Sequence, residues 1–230
     1  MIKNAFENKR VILYLLICVP FFLNDFSNIF LYDHYKLWLL IDYVFTKILI
    51  LGYVFYLLHK GVFSCHDLGL RGLKLKDFLF WTVFMSVVGL FFDQIGGKIF
   101  ELILPITQLG NFPKISNSFI YKIDLYGGLI LVGFVEEIVF RGIAFTVLYE
   151  KFNSIFKVFI FSSVIFGLIH WSLGVGSIIN TTIIGLVFMV ARWRTKSIFP
   201  LVLAHFIVDY VVFSGVNFNQ FFISVIPIFF

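Results

Sequence analysis

Charge is what this 230-residue chain has least of. Asp, Glu, Lys and Arg make up 13% of it against 60% hydrophobic residues, and the mean hydropathy is +1.00. So little polar surface cannot coat a soluble globule of this length, which excludes an ordinary water-soluble domain. Proline is scarce too, at five residues, and no Pro/Gly/Ser-rich linker, low-complexity tract or internal repeat divides the chain. Cysteine is limited to Cys18, inside an apolar run, and Cys65, in a connecting stretch. These two give no basis for a disulfide or a metal-type Cys spacing. The net charge of +5 does not signal nucleic acid, because the basic residues sit at the ends of apolar runs rather than in a patch interleaved with exposed aromatics.

What the chain does have is long apolar runs. A helix crossing about 30 Å of hydrocarbon needs roughly 20 apolar residues, and suitable runs fall at 11–31, 37–58, 78–100, 126–149, 155–173, 177–193 and 198–214. The fold is therefore expected to be all-α, a polytopic transmembrane bundle of seven or eight spans forming one integral membrane domain over 1–230. The short apolar tail 216–230 reads as a short eighth span, with a re-entrant piece or an interfacial segment as the alternatives. Lys3, Lys9 and Arg10 precede the first run as in a signal peptide. That run continues past Phe30 without a small-residue cleavage site, so it reads as a retained span.

With the N-terminus inside, twelve basic residues fall on inner segments (Lys3, Lys9, Arg10, Lys60, Arg71, Lys74, Lys76, Lys151, Lys157, Arg192, Arg194, Lys196). Only Lys36, Lys98, Lys114 and Lys122 fall outside, and Lys47 and Arg141 remain within spans. The positive-inside rule then predicts a cytoplasmic N-terminus in a cell membrane. The loop 61–76, with Leu68, Leu70, Leu73 and Leu75 among Arg71, Lys74 and Lys76, reads as an amphipathic piece lying on the cytoplasmic face.

An ionisable residue at bilayer depth costs about 2.5–3.5 kcal/mol on insertion scales, so each one invites a reason. The fourth run holds Glu136, Glu137 and Arg141 within six residues. Glu137 and Arg141 are four apart and share a helix face, whereas Glu136 is rotated about 100° from Glu137 and is left unpaired by its own helix. A carboxyl isolated in low dielectric is suited to acid–base work. The competing reading is a polar knot that only locks helices together. His170 ends the fifth run. His205 and Asp209 share a face of the seventh, where Asp209 can orient the imidazole or the pair can bind a substrate oxygen or a metal. Together these groups suit hydrolysis, which needs a base to activate water and donors to hold an oxyanion. His34, His59 and His66 fall at run ends or in loops and read as solvated. Asp25 reads as structural, and Asn180, Thr181 and Thr182 as helix–helix hydrogen-bonding groups.

Glu136-Glu137 followed by Arg141, Phe166 four before His170, and His205 four before Asp209 resemble the three motifs of the CAAX-protease and bacteriocin-processing family of intramembrane endopeptidases. The run from Gly185-Leu186 through Arg194 and Pro200 to Ala204-His205 looks like that family's approach to its last motif. The resemblance covers about 125–212, leaving 1–124 as supporting spans and a basic loop. It implies hydrolysis of a peptide bond in a membrane-associated protein or peptide. By that resemblance, Glu136 activates water with His170, His205 and Asp209 hold the oxyanion or complete the site, and Glu137, Arg141 and Phe166 support it. Many relatives carry Asn where this chain has Asp209, and an ionised Asp cannot donate to an oxyanion.

A glutamate mechanism without metal is favoured, since no helix carries His-Glu-x-x-His. Zn2+ held by Glu136, His170, His205 and Asp209 is the alternative. Two other functions compete with the peptidase: a non-catalytic immunity or scaffold protein binding a peptide in the same polar cavity, and a proton-coupled transporter, for which no inverted repeat is found. The expected partners are a membrane-associated peptide or protein substrate and the lipid bilayer, not nucleic acid.

Overall fold

The computed structural model describes residues 2–104 and 108–216, with side chains from residue 8 onward except those of 98, 101 and 102. All regular structure among the described residues is helical. Seven rods follow one another: α1 (Ile2–Asn24), α2 (Tyr35–His59), α3 (75–103), α4 (118–152), α5 (Ile155–Leu168), α6 (Val175–Thr195) and α7 (Phe199–Phe213). Each matches one of the seven expected spans. The eighth lies, from 217 on, outside the described residues.

Among the described residues, four stretches are long and apolar enough to cross a bilayer on their own: Asn8–Phe30, Tyr35–His59, Leu75–Gly96 and Val175–Thr195. α5 and α7 are apolar but shorter, with 14 and 15 residues. Outward-facing Phe30, Leu75 and Phe156 are each more than 70% exposed, as suits side chains whose solvent is lipid. The molecule is an all-helical integral membrane bundle.

Local chemistry explains the breaks between rods. Asn117 starts α4 by accepting from the backbone N–H groups of Phe119 and Ile120, at 3.1 and 3.0 Å. α4 ends on Asn153 in the left-handed conformation, and Ser154 caps α5 at once. α6 likewise ends on left-handed Lys196, and Pro200 sits in the first turn of α7. These tight links make successive rods antiparallel.

The N-terminal segment and the links 60–74, 153–154 and 196–198 share one end. There Arg10 pairs with Glu150, and Ser197 Oγ donates to the Arg71 carbonyl at 2.7 Å. The links 31–34, 108–117 and 169–174 share the other end, where the N–H groups of Leu109 and Gly110 both reach the Ser172 carbonyl at 2.9 Å.

The 60–74 link corrects the sequence expectation of a surface-lying amphipathic piece. It is an ordered loop tucked under the bundle, with Leu68 fully buried. Its backbone lies so close to Gly142 that a Cβ there would stand 2.8 Å from the Leu68 carbonyl oxygen. Arg192 anchors it by donating to the Asp67 carbonyl at 3.1 Å. Apolar residues of α1, α2, α4 and α5 form the larger core around Tyr14, Phe140 and Ile143, and α3, α6 and α7 form a smaller one around Met85 and Leu201.

Four wide π-helical turns interrupt the rods, at Asp42–Ile48, Phe92–Gly96, Asp124–Gly128 and Ile138–Ile143. Such turns recur at functional sites because the extra residue shifts which side chains face inward. Here they carry Asp42, Tyr43, Lys47, Asp93, Asp124 and Arg141, all of which line one internal cavity.

Candidate active site

The cavity has a volume of about 250 Å³, and every rod contributes to its wall. Glu136 enters it from the middle of α4, 6% exposed. Its own helix leaves it unpaired, as its spacing predicts, but α2 does not. Lys47 Nζ donates to Glu136 Oε1 at 2.9 Å and lies 3.5 Å from Asp42 Oδ1. The sequence reading missed this partner, although a lysine inside an apolar span was itself the signal.

Glu137 and Arg141, one turn apart and fully buried, stand 3.1 Å apart at Oε1 and Nη1. Nη1 has no aligned hydrogen bond, so the contact is charge pairing rather than a directed bond. The guanidinium also lies 3.9 Å from the centre of the Phe166 ring, a cation–π contact that a desolvated arginine favours.

His205 joins the two glutamates. Its Nδ1 lies 2.9 Å from Glu137 Oε1, and a carboxylate held by Arg141 can only accept, so Nδ1 carries the proton. Nε2 then faces Glu136 Oε2 at 3.8 Å and Asp209 Oδ2 at 3.4 Å. The approach of α7 to α4 depends on Gly133, where a Cβ would stand 3.4 Å from the His205 Cβ and 3.3 Å from the Val202 carbonyl oxygen.

His170 reaches the same cavity from just beyond α5. That helix rises only about 21 Å, so the chain turns before it has crossed the hydrocarbon, and the histidine stays at depth. His170 Nδ1 lies 3.0 Å from the Phe166 carbonyl oxygen. A carbonyl accepts, so Nδ1 donates and the neutral ring keeps its lone pair on Nε2. The Phe166 ring is edge-on to both imidazoles, with centroids 5.1 Å from His170 and 6.3 Å from His205.

Asp25, expected to be structural, ties the turn after His170 to α1. Its Oδ2 accepts from Ser172 N at 2.6 Å and its Oδ1 from Asn28 Nδ2 at 2.9 Å. Asn28 also donates to Ser172 Oγ at 3.0 Å and accepts from Trp38 Nε1 at 2.8 Å. Nothing in the spacing of 25, 28, 38 and 172 announced this network. Asn180, read as a helix–helix hydrogen-bonding group, has a buried Oδ1 without a donor, and Thr181 bonds within its own helix, to the Ser177 carbonyl at 2.7 Å. His34, His59 and His66 are exposed, as expected.

All seven residues singled out from the sequence therefore meet at one site: Glu136, Glu137, Arg141, Phe166, His170, His205 and Asp209. Around His205 Nε2 stand Glu136 Oε2 and Asp209 Oδ2, while Glu136 Oε1 is taken up by Lys47.

Comparison with known proteins agrees with the motifs. Residues 120–211 match the family described as Type II CAAX prenyl endopeptidase Rce1-like. YdiL of Bacillus subtilis (strain 168), whose name describes a candidate membrane peptidase, is 31% identical over 136 residues, covering 57% of this chain and 53% of that protein. The chain thus matches about half the length of that curated relative. No solved structure matches. The matched segment 120–211 holds Glu136, His170, His205 and Asp209, the residues of the three motifs.

Proposed function

We propose that the chain is an intramembrane endopeptidase that hydrolyses a peptide bond of a membrane-associated protein or peptide. One observation carries this reading: a buried glutamate from α4 and two imidazoles, one from α7 and one from the turn after α5, share one cavity. The family description, the name of the relative and the membrane-type fold support the same class of reaction.

In this mechanism Glu136 is the base. Lys47 holds Oε1 and supplies a counter-charge, which leaves Oε2 to take a proton from water. His170 Nε2, unprotonated because Nδ1 is committed to Phe166, orients that water. The hydroxide oxygen bonds to the carbonyl carbon, and the oxyanion accepts from His205 Nε2–H, beside which Asp209 Oδ2 lies at 3.4 Å. Asp209 acts through His205 rather than donating itself. The C–N bond then breaks as Glu136 returns its proton to the leaving nitrogen. In this reading Glu136 acts on water directly, and the hold of Lys47 on Oε1 supports it.

The chain works as a single multi-pass unit in the cytoplasmic membrane with its N-terminus inside. The twelve-to-four bias of basic residues toward one face supports that orientation. The deciding experiment is cleavage of candidate membrane peptides by the purified protein in lipid nanodiscs. Glu136→Gln is expected to lower the rate by about 10²–10⁴-fold. Full activity in a Glu136→Ala, His170→Ala double variant sinks the proposal and leaves peptide binding without catalysis.

A further inference from the structure

The cavity wall is rich in acceptors and poor in donors. Asp25, Asp42, Asp124, Glu136 and Asp209 all line it, against Lys47, Arg141 and a His205 that carries protons on both ring nitrogens. Arg141 is already matched by Glu137. Four of its neutral donors are spent inside the protein: the Tyr43 hydroxyl on Asp124, Asn24 Nδ2 on Asp42 at 2.9 Å, Trp38 Nε1 on Asn28 and His170 Nδ1 on Phe166.

A second observation points the same way. Asn180 lines this cavity, is 7% exposed, and has no hydrogen-bond donor within reach of Oδ1. The Oδ1 of Asn24, also in the wall, lacks a donor too. A buried acceptor without a donor costs about 1–3 kcal/mol, and surplus carboxylates at membrane depth cost more. An occupant that brings positive charge and several N–H groups relieves both.

The carboxylates do not converge as a set for a metal ion. They spread along the wall, which suits an ammonium or guanidinium making several separate bonds. Asp42, Asp124, Asn180 and Asp209 all lie toward the end of the bundle that holds the links 31–34, 108–117 and 169–174, with Glu136 deeper. Resting on the peptidase reading of this site, we infer that its substrate is a peptide carrying a positive charge, a Lys or Arg side chain or a free amino terminus. That charge docks on the acidic wall between the mouth and Glu136.

The test uses the full chain in phosphatidylcholine nanodiscs, where the bilayer itself does not select cations. Fluorescence anisotropy compares two peptides of one apolar sequence carrying Lys or Gln at a single position, each with a free or an acetylated amino terminus. The charged peptide is expected to bind about tenfold tighter or better at low salt, with the gap narrowing as salt rises. The Asp124→Asn and Asn180→Ala variants are each expected to reduce that gap. Loss of preference on acetylation alone assigns the docked charge to the amino terminus, and persistence assigns it to the side chain. Charged and neutral peptides that bind alike, or not at all, overturn the inference. Selective binding without cleavage sinks the peptidase reading but leaves cationic docking standing, and cleavage without charge selectivity does the reverse.

Discussion

Lys47 Nζ lies 2.9 Å from Glu136 Oε1, although 89 positions separate them in the chain. Both side chains are more than 90% buried, so neither charge has water as an alternative partner. Removing one member of such a pair is expected to cost about 3–5 kcal/mol, whereas replacing both is far milder. Lys47→Met should therefore lower the thermal midpoint in detergent sharply, and the Lys47→Met, Glu136→Gln double variant should recover much of it. A double variant no more stable than Lys47→Met would show that the pair is not coupled.

Asp25 holds the backbone N–H of Ser172, two residues beyond His170. Asp25→Ala removes that bond and the one to Asn28, loosening the turn that aims the imidazole. Under the proposed mechanism kcat should fall about tenfold or more with little change in KM, because the loss is felt at the water rather than along the peptide. Asp25→Asn, which keeps one acceptor oxygen, should be milder. A change confined to KM would instead assign Asp25 to peptide binding.

Gly133 lets α7 approach α4. Gly133→Ala places a methyl 3.4 Å from the His205 Cβ, which a shift of a few tenths of an ångström accommodates. Gly133→Leu cannot be accommodated that way and is expected to cost about 1–3 kcal/mol by overpacking while separating His205 from Glu137. Cleavage should drop far more than stability does, measured as rate against thermal midpoint.

If Glu136 acts directly on water, prolonged treatment of the purified protein with a strong zinc chelator should leave the cleavage rate unchanged. A rate abolished by chelator and restored by added zinc would overturn the metal-free mechanism.

The two cysteines supply a topology probe without mutagenesis. Cys65 is exposed in the 60–74 link and Cys18 is buried in α1. A membrane-impermeant maleimide should label one cysteine per chain in inverted vesicles, whose cytoplasmic face is outward, and none in right-side-out vesicles. The opposite pattern would place the N-terminus outside.

Most of this architecture could be read from the sequence because each signal was local. Apolar runs located seven rods, and helical spacing put Glu137 beside Arg141 and His205 beside Asp209. Which rods meet is not local information, and the readings that failed all depended on it. Lys47 was noticed as an intramembrane charge, but nothing in its spacing linked α2 to α4. The π turns that bring Asp42 and Asp124 inward leave no periodicity to read. Leu68 looked like part of a surface stripe because its burial is created by Gly142, 74 positions later. Asp25 read correctly as structural, but nothing local named its partner in the turn after α5.

The tucked 60–74 link has a consequence for the membrane as an insulator. Beneath Glu136 the bundle is closed by Leu68, Phe140, Ile143 and Ala144, none of them more than 1% exposed, so the polar space is a well with a floor rather than a pore. The electrical thickness of the bilayer at this point is the thickness of that floor, across which most of a transmembrane potential would fall. Such a plug lets a protein keep water and several carboxylates at membrane depth without short-circuiting the proton gradient of the cell.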